Sequence, residues 1–300
     1  MWLGACASTI GTFVQQFAQS WLVYDLTKDA FYLGLDLFLG QLPIILFSLV
    51  GGVFADRMDR RKMLLGSQYI QMTCAFVLAA LFFMHRVKIW EILSLSFVVG
   101  VGQSFGGPAY SALLPTLVPT EDLTNAIAMN SIQFNLARVL GPALGGFTYA
   151  TVGATWCFTL NGLSYLAVIA SLLMIQVKFV PQKSKEPILK SMRAGLHFIR
   201  QREGLPALVF LAFLTTLLGF SLTGFLPVIV QTVFHGGPQT YQVLLVSSGA
   251  GAIVGAIGVA ASEKLKQQGY VVLLTLTGLG AAITGFALSR WLFLSCVLIL

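Results

Sequence analysis

Apolar residues run along this chain in blocks of twenty or more, and polar residues gather in short intervals between them. A helix needs roughly 20 residues to cross about 30 Å of hydrocarbon. On that rule the blocks predict spans near 2–24, 30–55, 63–84, 89–113, 123–150, 155–176, 205–234, 240–261 and 270–288. A tenth begins near Trp291 and reaches Leu300 after half a crossing, about 9.5 spans in all. The expectation is an all-α polytopic membrane protein. Met1 and Trp2 open straight into the first block without the basic lead of a signal peptide. With the half span at the other end, this reads as a chain trimmed at one or both ends.

Composition agrees with the pattern. Of the 300 residues 57% are hydrophobic and 10% charged, too little polar surface to cover a soluble exterior. The net charge of +7 would raise nucleic acid as a partner in a soluble domain, but here the bases mark topology and no nucleic-acid partner is expected. Loops after the second, sixth and eighth spans carry thirteen of them: Arg57, Arg60, Arg61, Lys62, Lys178, Lys183, Lys185, Lys190, Arg193, Arg200, Arg202, Lys264 and Lys266. The opposite loops carry four, Lys28, Arg86, Lys88 and Arg290, which assigns the even-numbered loops to the cytoplasm. The cysteines Cys6, Cys74, Cys157 and Cys296 lie in apolar stretches, and His85, His197 and His235 are scattered, so no metal site is expected. With neither a nucleophile beside a base nor a P-loop in view, an enzyme is not expected.

The one long connection, 177–204, divides an N-terminal unit of six spans, 1–176, from a second, incomplete set, 205–300. Within it Ile188, Met192, Leu196 and Ile199 share one helical face, and Lys190, Arg193, His197 and Arg200 another. That pattern predicts an amphipathic helix on the cytoplasmic membrane surface. GVFADRMDRRKMLL from Gly52 is echoed weakly by GVAASEKLKQQGYVVLL from Gly258, six spans and a linker later. Such an offset suggests two related six-helix halves, a common plan for secondary transporters.

The densest charge follows the second span, where Gly51 and Gly52 precede Asp56, Arg57, Asp59, Arg60 and Arg61. Glycines allow close helix approach, the acid suits the positive end of a neighbouring helix, and the bases suit acids in a partner half. This loop resembles the signature loop of the major facilitator superfamily at Gly52, Asp56, Arg57, Arg60 and Arg61, with Asp59 standing where glycine is usual. The resemblance implies the major facilitator fold, a gating role for the loop, and docking of Asp56 on an eleventh helix that these 300 residues do not include. In the fifth span Gly141, Pro142, Gly145 and Gly146 form a small-residue surface bent by the proline. They are similar to the superfamily's antiporter-type motif, which implies an interface with span eight and its Gly249, Gly251, Gly255 and Gly258.

Arg138, mid-span, is costly in lipid unless it faces a partner or a wet cavity. Its candidate partners are Asp36 and Glu91. Asp36 leads as a proton site, because apolar surroundings favour a neutral carboxyl, and Arg138 and Glu91 complete the coupling set. Gln15, Gln19, Trp21, Gln103 and Asn135 are candidate cavity residues. The stretches QQFAQSWLVYDLT and LLPTLVPTEDLTNAIAMNS resemble the enterobactin exporter and macrolide efflux branch. That resemblance implies a proton-driven exporter of amphipathic small molecules in a bacterial inner membrane. The expectation is a monomer that works on a proton gradient, without a cofactor. Uptake by proton symport, a receptor that does not transport, and an inactive fragment are the alternatives.

Overall fold

The computed structural model describes residues 1–175, 197–202, 204–262 and 268–300. Its first six long helices are α1 Trp2–Thr27, α2 Ala30–Arg57, α3 Arg60–Phe83, α4 Ile89–Leu113, α5 Leu123–Val152 and α6 Ala154–Met174. After the long connection come α7 Leu205–Gly224, α8 Leu226–Thr232, α9 Pro238–Ser262, α10 Gln268–Leu288 and α11 Leu292–Ile299. The chain is all-α, as the apolar blocks predict. Helix is what a bilayer demands, since it satisfies backbone groups within one segment where water is absent. Six helices among the described residues are apolar and long enough to cross a membrane by composition and length. They do not include α1 and α5, of 26 and 30 residues, into which polar residues such as Gln15, Gln19, Gln133 and Arg138 intrude.

The seventh predicted span, 205–234, is not one helix. It breaks at Phe225 between α7 and α8. Pro227 has no N–H to give the carbonyl one turn back, and its ring crowds that turn. Of the predicted amphipathic surface helix, Ile188, Lys190, Met192, Arg193 and Leu196 lie outside the described residues. At its end, residues 197–201 are helical, and the Arg202 guanidinium sits 5.2 Å from the centre of the Phe198 ring. Residues 263–267 of the echo after Gly258 also fall outside the described residues.

Close packing is set by glycines. Helix α2 runs parallel to α4, and the two touch at Gly100, where an added Cβ would collide with the Gly40 carbonyl and the Pro43 ring. Lower down, Gly51 lies against the backbone of Ser104. On α1, Gly4 and Gly11 admit Ser171 and Ser164 of α6. Lipid tails are as apolar as the side chains, so this contact, rather than expulsion of water, holds such helices together.

The buried side chains fall into two clusters. One joins the first six helices to the later ones: Phe17, Trp21, Leu33 and Phe158 pack with Leu226, Val230, Tyr241, Leu244 and Phe286. The other, including Ala55, Leu64, Leu113, Tyr165 and Leu172, is built, among the described residues, from the first six helices. Among the described residues the two sets are therefore knitted across at the end of the α1–α2 turn, while the buried cluster at the end of the α2–α3 turn draws on the first six helices. At that second end residues 127–129 of α5 and 254–258 of α9 are exposed.

Gly100→Ala is expected to lower stability by about 1–3 kcal/mol, the cost of overpacking a filled contact. Gly107→Ala on the same helix meets open space and is expected to raise it by up to about 1 kcal/mol, since alanine is the better helix former. Thermal unfolding of both variants in one detergent checks the difference.

Candidate functional site

The charged loop begins as α2 ends at Arg57. Asp59 accepts hydrogen bonds from the backbone N–H groups of Arg61 (3.0 Å) and Lys62 (3.3 Å) and so starts α3. It is an N-cap, covering donors that the first turn of a helix leaves free. Glycine is also tolerated at that position, which accounts for Asp59 standing where glycine is usual.

The two arginines that follow do not reach acids in a partner half, as their charge alone suggests. Arg60 donates to the carbonyls of Ala55 (3.1 Å) and Ala112 (2.9 Å), the latter at the end of α4. Arg61 donates to Leu172 (2.6 Å) and Leu173 (2.8 Å) at the end of α6. The last carbonyls of a helix lack intrahelical donors and carry its negative pole, so guanidinium groups fit there. The pair ties α3, α4 and α6 within the first six helices. Asp56 is half exposed, with its carboxylate 4.0 Å from Arg60. Arg57 and Gly52 are not enclosed, and a Cβ at Gly52 would meet nothing within 4 Å.

Helix α5 carries the second motif, and its glycines face two directions. Gly141 packs on Phe13 and Gly145 on Phe17, both on α1, whereas Gly146 receives the side chain of Gln242 from α9. Positions four apart share a helical face and the next residue sits about 100° away, so the motif is not one smooth surface. The expected contact with span eight, here α9, forms through Gly146 and through Gly249, which sits on the Arg138 carbonyl. That carbonyl is the one Pro142 leaves without its helical donor. Gln242 donates to the Ala143 carbonyl at 2.7 Å. Gly251 faces the end of α11 instead, and Gly255 and Gly258 meet nothing.

Asp36 is the buried acid, 5% exposed. Gln19 donates to both its oxygens, at 3.1 and 2.9 Å, and Ser96 donates to one of them. The network continues from Gln15 to Gln19 (3.3 Å) and from Asn161 to Gln15 (2.7 Å), crossing from α2 through α1 to α6. Arg138 does not join it. Among the described residues no ion pair links Arg138 to Asp36 or Glu91, and Arg138 is half-buried. Amides and a hydroxyl, rather than an arginine, satisfy the carboxyl. Glu91 is a helix-starting residue, accepting from the Lys88 N–H at 2.8 Å.

The candidate cavity residues separate likewise. Gln15 and Gln19 belong to the Asp36 network. Trp21 is closed off, stacked on Tyr241, which also stacks on Phe17 at 4.9 Å between ring centres. Gln103 turns into the first six helices toward Gln71, whose carbonyl oxygen also accepts from Tyr165 (3.2 Å). Asn135 donates to the Ser131 carbonyl of its own helix. Sequence reading missed Ser96, Asn161, Gln71, Tyr165, Tyr241 and Gln242. The signal for most of them is a polar side chain inside an apolar span, the same one that singles out Asp36.

At the closed end, Lys28 bonds Asp25 (2.6 Å) and reaches Gln231 of α8 (3.2 Å). Gly34 and Gly224 lie against Phe225 and Leu37 across the same seam.

Comparison with known proteins places these features. Over 263 residues the chain is 27% identical to macrolide efflux protein A of Streptococcus pyogenes, a match covering 86% of this chain and 64% of that protein. Over 209 residues it is 28% identical to an enterobactin exporter of Shigella boydii, covering 66% and 45% of the two. The chain thus spans less than two thirds of these relatives' length. A bacterial homologue of the human lysosomal transporter Spinster, crystallised inward-facing and unoccupied, shares the fold. Its TM-score is 0.68 at 16% identity, over 99% of this chain and 70% of that one.

Asp59→Ala is expected to cost about 1 kcal/mol and Asp59→Gly only a few tenths, the usual ranking at an N-cap. Chemical denaturation of the two variants in the same detergent checks the order. The family described as transmembrane secretion effector matches residues 1–300 throughout, and the chain belongs to it, a membrane transporter family of the major facilitator superfamily.

Proposed function

We propose that this chain exports amphipathic small molecules of the drug or siderophore kind by alternating access, driven by proton entry. The names of its relatives, macrolide efflux protein and enterobactin exporter, support the cargo class and direction. The observation that carries the mechanism is the division of the core. Among the described residues one end is sealed by packing shared between the first six helices and the later ones, while the core at the other end stays within the first set. A seam sealed at one end and open at the other is half of an alternating-access cycle. The second half requires the Phe17–Tyr241 and Lys28–Gln231 contacts to part while the opposite end closes.

Asp36 is the proton site in this reading. Its carboxyl is held at the junction of α1, α2 and α4 by groups that carry no charge. Taking up or losing a proton therefore changes the net charge of the junction, with no arginine to cancel it. Arg138, half-buried beside the α5–α9 contact, contributes to coupling without pairing with Asp36. The even-numbered loops face the cytoplasm of a bacterial cell, and residues 177–204 link two halves that act within one monomer. The proton gradient stands in place of any cofactor.

The test follows a fluorescent amphipathic dye in cells expressing the chain. Export predicts that a protonophore raises dye accumulation severalfold in wild type and leaves Asp36→Asn cells unchanged, already at the raised level. A protonophore that lowers accumulation indicates uptake. Dye levels indifferent to the protonophore, to Asp36→Asn and to Arg138→Ala would sink both directions of proton-coupled transport.

A further inference from the structure

The turn between α3 and α4 holds a feature that transport does not use. Leu81, His85, Arg86, Val87, Lys88 and Glu91 line an open depression of about 450 Å³. Its shape is fixed locally. His85 is held in the left-handed region at φ 53°, and the N–H groups of His85 and Arg86 close the turn on Phe82 and Leu81. Glu91 spends its carboxylate on the Lys88 backbone. Among the described residues, ion pairs involve Lys28 with Asp25 and Arg60 with Asp56, so neither Arg86 nor Lys88 has an acidic partner.

Two further observations say what such a depression suits. The turn joins two helices that are each long and apolar enough to span a membrane, so it emerges at a bilayer surface. Phe83, Met84 and Trp90 beside it are 75%, 60% and 62% exposed. Trp90 also lies edge-on to Tyr32 at 6.2 Å; an aromatic at this level is the usual marker of the headgroup region. This is moreover the base-poor side. Of its four bases Lys28 is paired and Arg290 stands apart, which leaves Arg86 and Lys88 as its one concentration of unpaired positive charge. Bases there run against the distribution that sets orientation, and a topology signal does not explain them.

We propose that this turn binds the phosphate of an anionic glycerophospholipid, with the acyl chains lying against the exposed apolar residues beside it. Arg86, Lys88 and Glu91 together carry one formal net positive charge, matched to one phosphodiester monoanion. Arg86 supplies a planar fork of donors and Lys88 a point charge, and both complement phosphate oxygens. The proposal does not depend on the direction of transport or on Asp36.

Native mass spectrometry of the purified chain in detergent tests it, with phosphatidylglycerol and phosphatidylcholine of identical acyl chains as probes. Phosphatidylglycerol is expected to be retained in preference. Arg86→Gln combined with Lys88→Gln is expected to weaken that retention by about tenfold or more, since each base near an anionic surface contributes about fivefold. Arg290→Gln, an exposed base on the same side, is expected to leave it unchanged, and thermal unfolding verifies that all variants stay folded. Equal retention of the two lipids overturns the proposal. So does an equal loss in Arg290→Gln, which would indicate bulk charge, or full displacement of phosphatidylglycerol by millimolar inorganic phosphate, which would indicate a free-anion site.

Discussion

Inside a bilayer every backbone carbonyl without a helical donor must find another one from the protein, and much of this fold consists of answers to that demand. The ends of α4 and α6 are met by Arg60 and Arg61. Carbonyls inside helices take a second donor in the same way: that of Gly102 accepts from Ser67 and that of Ala143 from Gln242. These side chains do more than satisfy oxygens. Each draws in the helix that carries it, so the pattern of accepting carbonyls becomes a pattern of helix contacts.

This view separates the two sets of helices. Within the first six, contacts are many and of mixed kind: glycine packing of α2 on α4, arginine caps, and amide networks from Asp36 to Asn161 and from Gln71 to Tyr165. Between these helices and the later ones, the contacts among the described residues rely on stacked rings, glycine packing of α5 on α9, and hydrogen bonds such as Gln242 to Ala143 and Lys28 to Gln231. Interhelical hydrogen bonds in membranes average only about 0.6 kcal/mol, so a seam of this kind is easily exchanged for another. The difference suits a molecule with a firm body and a separable joint.

The helices were legible because apolar blocks of spanning length allow little else. The break at Phe225 was not, since Pro43, Pro108 and Pro142 sit inside continuous helices and Pro227 looks no different in sequence. Motif positions were legible and their partners were not. Arg60 and Arg61 bind backbone carbonyls, which every residue carries alike, so no pattern of side chains announces which ones are left free. The pairing of Arg138 with Asp36 rested on charge alone, and hydrogen bonding from neutral amides outweighed it. The glycines of α5 were counted as a set, although the step from Gly145 to Gly146 turns a helix through more than a quarter of a circle.

Asp59 carries a lesson about how such loops are recognised. A pattern written in residue identities treats aspartate in place of glycine as an error and marks the chain down for it. Written as a requirement, the same position asks for any residue able to begin a helix directly after a reversal of chain direction, which admits aspartate, asparagine, serine and glycine together. For this chain the constraint then lies in the geometry of the reversal, and the two arginines that follow answer to backbone carbonyls of α4 and α6, which side-chain identity does not alter.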